Sequence, residues 1–289
     1  EFIQFHPTTL PSTGILITEG CRGEGGILYN SKGERFLYER GYATHTGELA
    51  SRDVVSRAEL IEVREGRGFE DETVHLDITH LGREKIEGRL AQIKELAEDF
   101  EDVDPVVEPI PVKPGQHYIM GGISTDSNGA TELPGFYAAG ECACVSVHGA
   151  NRLGGNALLE LAVFGKRAGE HAAKNLQDIS EKAVEKATND EREKIETLLD
   201  RSGVGTHQSD LREEVQKVMG ENVGVFRGEE GLEKAMEKIN EAKDNYNDVT
   251  VHDSSSTFNT DLQHTLELRS IIDVAEVIVK SAFERKESR

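Results

Sequence analysis

Long apolar runs are missing from this chain: nothing in it approaches the roughly 18 to 20 consecutive apolar residues of a membrane-crossing helix. No charged-then-apolar leader opens it, so membrane contact is expected only through partner subunits. Bases are scarce, 33 against 54 acids for a net charge of -21, which argues against nucleic acid or an anionic lipid surface as a direct partner. The acids are spread along the whole chain, a halophile-like composition that bears on surface hydration and not on catalysis. Cysteine is scarce as well. Cys21, Cys142 and Cys144 form an odd set with no repeated metal-ligand spacing, and Cys142-Ala143-Cys144 is too tight for a Cys-x-x-Cys site. The expectation is buried structural thiols in a reducing cytosol, and no metal.

What is present is length and one glycine-punctuated loop. The 289 residues suffice for two or three units with their own cores. Ser146-Val147-His148-Gly149-Ala150-Asn151-Arg152-Leu153-Gly154-Gly155-Asn156 runs into the apolar segment Ala157 to Phe164. Its glycines allow close backbone approach to a ligand, Asn156 is a candidate helix cap, and Arg152 offers a planar fork for a carboxylate. The helix N-terminus adds partial positive charge. Upstream, Gly135-Phe136-Tyr137-Ala138-Ala139-Gly140 reads as a short buried strand that delivers Glu141 to the loop's mouth. The helix from Ala157 to about Leu176 is apolar nearly all round for two turns, as expected if that part is covered by a cofactor.

Earlier in the chain, His6 stands before Pro7, which holds it extended so that its ring can be aimed. An apolar run, Ile15 to Ile17, leads to a polar bend carrying Thr18, Glu19 and Arg22, followed by a strand through Leu28. Asn30-Ser31-Lys32-Gly33 then turns the chain back through Arg35-Phe36-Leu37. Glu19 and Arg22 are a structural ion pair on the plainest reading. Ser51 caps a helix with Val54, Val55, Ala58 and Ile61 at helical spacing up to Gly66. Arg52 therefore sits in a first turn, where a cation is disfavoured by about 0.3–1 kcal/mol unless Asp53 beside it compensates. Such local conflicts tend to mark function.

Val74 to Ile78 alternates like a strand, and Ile86, Leu90, Ile93, Ala97 and Phe100 share one helix face; His75 and His80 are packing or surface residues. Glu108 to Pro114 is stiff and extended and delivers His117, after which Gly121 and Gly122 suit close approach to a flat ring and Asn128-Gly129 makes a hairpin turn. From about Ser180 charged helical segments follow: 181–199, 209–219 with Leu211, Val215 and Val218, and 232–242 with Leu232, Met236 and Ile239. A polar connector, 244–256, precedes a last helix whose face is Leu262, Leu266, Ile271, Val274, Ile278 and Ala282. The chain opens in what reads as mid-strand and stops, at Phe283 to Arg289, inside a motif, so a fragment cut at both ends is expected.

Glu141 to Glu160, with His148-Gly149-Ala150-Asn151-Arg152-Leu153-Gly154-Gly155-Asn156, resembles the C-terminal flavin-binding segment of the flavoprotein subunit of succinate dehydrogenase and fumarate reductase. Glu1 to Leu10, Ile15 to Asn30 and His117 to Ile123 resemble the same family, densely to about residue 176 and more loosely beyond. The resemblance implies an α+β or α/β multidomain protein. Residues 1–116 would be a capping domain whose first residues belong to the FAD-binding domain, 117–180 the C-terminal part of that dinucleotide-type domain, and 181–289 a helical bundle. It implies FAD as cofactor, held at Glu141, Ala157 and Leu158, where the family often has Ser in place of Ala157.

It further implies a dicarboxylate held by His6, Thr18, His117 and Arg152, with succinate oxidised to fumarate, hydride passed to FAD and a proton to Arg52, with Glu19 and Arg22 as its relay. Electrons would leave through an iron-sulfur subunit to quinone, in the tricarboxylic acid cycle and electron transport, at the cytoplasmic face of a membrane held by anchor subunits. The family's dinucleotide-binding motif and flavin-linking histidine are not in this sequence, so the chain alone is expected to be inactive. Fumarate reduction is the alternative; Val145 to His148 and Gly154-Gly155 lean to succinate dehydrogenase. L-aspartate oxidase has an Arg-Leu-Ala-Ser-Asn type of loop and fits less well, and a noncatalytic assembly module would need the carboxylate ligands scattered in space.

Overall fold

Strand alternation in Val74-His75-Leu76-Asp77 buries Val74 and Leu76 and leaves His75 and Asp77 half-exposed, as a sheet with one covered face requires. A computed structural model of the chain describes every residue except 71, 177, 179, 202–204, 256, 288 and 289. The expected polar connector therefore ends, at Ser256, outside the described residues, as do the terminal Ser288 and Arg289. The chain divides into two units: residues 3–119, and residues 120–289 together with Glu1 and Phe2.

The first unit runs β1 (Ile3–Thr9), α1 (Gly20–Gly23), β2 (Ile27–Tyr29), α2 (Phe36–Glu39), α3 (Arg52–Arg64), β3 (Val74–Asp77), α4 (Arg83–Arg89), α5 (Ala91–Glu101) and β4 (Ile110–Ile119). The four strands form one antiparallel sheet in the order β1-β4-β3-β2. Helix α3 packs on β1 and β4, and Leu10, Ile17, Leu28, Phe36, Val55, Leu76, Ile86, Ile110 and Val112 fill the core. Three local expectations are corrected here. The polar bend at Gly20–Gly23 winds into the short helix α1, and Phe36–Glu39 is helix α2, not the arm of a turn. The single helix expected beyond Ile86 breaks at Leu90 into α4 and α5, so Phe100 ends up exposed. His75 stacks on Phe69 with ring centroids 3.6 Å apart, the packing role expected of it.

The drawn boundary at 116/117 falls inside β4, which continues to Ile119 and keeps His117 in the unit of residues 3–119. β4 pairs with β1 on both sides of that point, at Gln116 and at Tyr118, with His117 between them.

The second unit contains β5 (Ile123–Ser124), β6 (Ala143–Cys144), α6 (Asn156–Lys174), α7 (Glu181–Asp200), β7 (Thr206–His207), α8 (Gln208–Asn222), α9 (Glu229–Asn245), β8 (Val249–Thr250) and α10 (Thr260–Glu284). β5 pairs with β6 in parallel, and β7 with β8 likewise. The strand expected at residues 135–140 is reduced to one bridge, Tyr137 to Ala130, and regular pairing starts later, at Ala143. Gly135 and Gly140 stand at φ 82° and 83°, outside extended backbone, which ends any ladder at both sides. The turn at Asn128-Gly129 forms, organised by the Asp126 carboxylate, which accepts the Asn128 and Ala130 N–H groups, but its strands do not continue as a hairpin.

Helices α8, α9 and α10 pack on one another around Leu211, Val215, Leu232, Ala235, Ile239, Leu268, Ile272, Ala275 and Val279. The buried stripe of α10 is Leu268-Ile272-Ala275-Val279 with Ile278; Leu266 and Val274 of the expected face are exposed. Helix α10 carries apolar residues on more than one side, so periodicity alone cannot choose the face, and contact with α8 and α9 does. Among the described residues no helix is long and apolar enough to cross a membrane.

Candidate active site

Two β-bulges aim two histidines. On β1 the ladder to β4 passes from His6↔Gly115 to Thr9↔Lys113, so Pro7 and Thr8 face Pro114 alone, where Pro7 has no N–H to give. On β4 it passes from Tyr118↔Gln4 to Gln116↔Phe5, which leaves His117 as the extra residue. The two rings meet edge-on with centroids 5.6 Å apart. His6 is fully buried; its Nδ1 lies 3.2 Å from both the Thr8 N–H and the Thr8 carbonyl, and its Nε2 has no hydrogen-bond partner among the described residues. Burial first, then the charges of Arg52, Arg22 and His117, push the His6 pKa down to about 3, so the ring is neutral at physiological pH.

Arg52 opens α3, as its position after Ser51 predicts. Ser51 occupies the cap position, but its hydroxyl bonds the Asp53 carboxylate and not a backbone N–H. Asp53 in turn holds Arg57 at 2.7 Å, and the cation in the first turn is matched from another element. Arg52 Nε donates to Glu19 Oε2 at 2.9 Å and Nη1 to Gln4 Oε1 at 3.0 Å. The same Glu19 oxygen lies 3.7 Å from Arg22 Nη2, so one carboxylate joins two guanidinium groups. Arg22 is buried; burial and Arg52 lower its pKa, while Glu19 and Glu59 hold it up. Its Nη1 donates to the Glu48 carbonyl, and the Glu48 carboxylate takes Arg35 in a two-pronged pair at 2.8 and 2.6 Å. Thr18 is exposed just before Glu19, its hydroxyl accepting the Gly20 N–H at 3.3 Å.

The first unit thus brings together His6, His117, Arg52, Glu19 and Arg22, with Thr18 adjoining Glu19 in the chain. Gln4, Thr8, Glu48 and Glu59 belong to the same neighbourhood and were not found from sequence. Gln4 and Glu59 carry one signal each: a polar residue between Ile3 and Phe5, and an acid on the buried stripe of α3.

Arg152 lies in the second unit, buried, with Nη1 3.4 Å from the Leu153 carbonyl. Its loop is tied to α6 by His148 Nε2 and Glu160 Oε2, 2.7 Å apart and both buried. Asn156 is not the cap of α6: Gly155, at φ 80°, takes the cap position and has no side chain to bond the first-turn N–H groups. Ala157 and Leu158 stand in that turn, with Leu158, Leu159, Leu161 and Val163 exposed, so the first half of α6 is not buried within this chain. Glu141 is exposed in the turn before β6. A glycine-capped first turn with an exposed apolar face fits the edge of a flavin. One expectation is corrected. Of the cysteines only Cys21 is buried, its pKa pushed up to about 12 by that burial, while Cys142 is exposed in the turn after Gly140. Gly122, at φ 140°, lies so close to the backbone that a Cβ there would meet the Cys142 carbonyl oxygen at 2.4 Å, while Gly121 has nothing within 4 Å of a Cβ.

The FAD binding domain family, FAD_binding_2, matches residues 1–158, and the fumarate reductase flavoprotein C-terminal family matches residues 212–289. The fumarate reductase flavoprotein subunit of Haemophilus influenzae is 46% identical over 305 residues, covering 100% of this chain and 51% of that protein. The succinate dehydrogenase flavoprotein subunit of Rickettsia bellii is 46% identical over 307 residues, covering 100% and 50%. A quinol fumarate reductase structure from E. coli superposes with a TM-score of 0.94 at 43% identity, over 100% of this chain and 52% of that one. The chain spans about half the length of the curated relatives it matches.

Proposed function

Because this chain belongs to the flavoprotein-subunit family of succinate dehydrogenase and fumarate reductase, within the FAD-binding domain family, we propose that it carries the proton-transfer half of a succinate-oxidising centre. The observation that carries the reading is the Glu19 carboxylate seated between Arg52 and Arg22, beside a neutral His6. Bound FAD supplies two-electron acceptance. The residues of this chain hold the substrate and move the proton. His6 through its Nε2 and Thr18 through its hydroxyl take one carboxylate and His117 the other; Arg152 is a carboxylate ligand by resemblance alone. Arg52 accepts the proton released from carbon, and Glu19, about half exposed, passes it toward solvent with Arg22 holding the carboxylate in place. An arginine is ordinarily always protonated, so its part as acceptor is transient and depends on the adjoining carboxylate. Glu141 with the Ala157 and Leu158 backbone donors is proposed to meet the flavin.

Electrons are proposed to leave through an iron-sulfur subunit and quinone, with the subunit peripheral at the cytoplasmic face. The same geometry serves fumarate reduction, with Arg52 as donor, and the equal identity to relatives of both names favours neither direction. The intact flavoprotein subunit, loaded with FAD and assembled with its partners, is expected to reduce a quinone analogue with succinate. Oxygen-linked oxidation of L-aspartate by the isolated subunit, with no response to succinate or fumarate, would overturn the reading.

A further inference from the structure

The arginine pair around Glu19 has a support that the reading above does not use. Arg22 is buried, and its guanidinium makes one hydrogen bond among the described residues, from Nη1 to the main-chain carbonyl of Glu48 at 2.5 Å; Nε and Nη2 make none. Held at a single corner, the fork is placed no better than the carbonyl that holds it. Glu48 sits in the middle of a 3-10 turn, Gly47–Leu49, and its carboxylate is tied to Arg35, Nε to Oε1 at 2.8 Å and Nη2 to Oε2 at 2.6 Å, with the Leu28 N–H of β2 3.5 Å from Oε1. Such a two-pronged pair fixes orientation as well as distance, and this carboxylate is only 4% exposed. Gly47, at φ 52°, has the Tyr38 ring where a Cβ would stand, and the Arg35 guanidinium lies over that same ring, 4.5 Å from its centroid. Turn, arginine and ring therefore lock one another. The turn ends at Leu49, three positions before Arg52 opens α3. One braced turn thus carries the anchor of Arg22 and leads into the helix that carries Arg52.

We propose that Glu48 is a positioning residue of the proton relay: its carboxylate, locked to Arg35, holds the turn so that its carbonyl keeps Arg22 within reach of the Glu19 oxygen that Arg52 also holds. This rests on the functional reading above. Glu48 takes no proton; the transfer stays between Arg52 and Glu19. The Glu19 side chain is 45% exposed, so a single exposed pairing would leave solvent competing for it, and the second arginine keeps the carboxylate in place. Proton transfer needs donor and acceptor at hydrogen-bond distance, so loss of the brace falls on rate and not on substrate binding.

The test compares Arg35→Lys, Glu48→Gln and the double variant in the intact, FAD-loaded and assembled enzyme. Lysine keeps a charge beside the buried carboxylate and loses the fork; glutamine keeps the volume and turns one acceptor into a donor facing Arg35. Each single variant is expected to lose about tenfold in kcat per bound flavin with KM within about twofold of the parent, as misplacement away from the chemistry produces. In fumarate reduction driven by a reduced dye, where the relay must draw its proton from solvent, the solvent deuterium isotope effect is expected to exceed that of the parent. A loss of fold or of flavin does not raise that effect. The double variant is expected to be no slower than the slower single variant, because both break the same contact. Parental kcat per flavin in Arg35→Lys, a raised KM with a parental isotope effect, or losses that multiply in the double variant would each overturn the proposal. Should Glu48→Gln fail to fold, Arg35→Lys decides alone, since its change is at a side chain 39% exposed. A parent that turns over neither succinate nor fumarate overturns the functional reading instead. A crystal structure of Arg35→Lys then decides the anchoring, which fails if Arg22 Nη1 stays on the Glu48 carbonyl and holds if it has moved off.

Discussion

Arg52 Nε and Glu19 Oε2 lie 2.9 Å apart, joining the first turn of α3 to the residue that leads into α1. The contact resolves the conflict of a cation at a helix N-terminus, because its compensating charge comes from 33 positions earlier in the chain rather than from Asp53. It also sets the direction of the guanidinium, since Gln4 fixes Nη1 from β1 at the same time.

Replacing Arg52 with Lys keeps the charge and loses the fork that reaches Glu19 and Gln4 together. In the intact enzyme Arg52→Lys is expected to lower kcat by about 10²-fold or more with flavin content unchanged. Steady-state kinetics with succinate decide it: a raised KM with parental kcat makes Arg52 a carboxylate ligand and leaves Glu19 as the proton carrier.

His6 links the site to acid stability. Its folded pKa of about 3 lies below the ordinary 6.5, so between those values the unfolded chain binds a proton that the folded chain refuses. Stability from this group is therefore complete above about pH 6.5 and declines as pH falls toward 3. Urea midpoints measured from pH 4 to 7 are expected to rise more steeply for the parent than for His6→Gln. Equal slopes, or a His6 ring that titrates near 6.5 by NMR, would contradict a desolvated neutral histidine.

The strongest buried ion pair of the first unit lies outside the site. Glu62 is fully buried and takes Arg67 at 2.7 Å through both oxygens, with Asn30 at 2.8 Å and Tyr42 at 2.7 Å. Burial raises its pKa, and the hydrogen bonds from Arg67, Asn30 and Tyr42 outweigh burial and leave it at about 2. Glu62→Ala leaves Arg67 paired with Glu65 alone and takes the shared acceptor from Asn30 and Tyr42, and is expected to cost about 1–3 kcal/mol in chemical denaturation at pH 7. Because the folded pKa is depressed, that loss should shrink as pH falls from about 4.5 toward 2. A penalty independent of pH would assign it to packing alone.

Residue types and spacing alone determined much of this protein. The helical span opened by Arg52 and the extended run delivering His117 follow from backbone preferences that act within a few residues. The segments that became α8, α9 and α10 follow in the same way. The motif from His148 to Asn156, read as a resemblance, gave the family, and the family comparisons bear that out. What tertiary structure alone decided is which side chains meet. The bulges that bring His6 and His117 to 5.6 Å depend on register between strands more than 100 positions apart, which no local pattern encodes. The buried stripe of α10 was chosen by its neighbours, and the sharing of Glu19 between Arg52 and Arg22 by the packing of the first unit. Periodicity says that a face is buried; only the partner surface says which charges are buried with it.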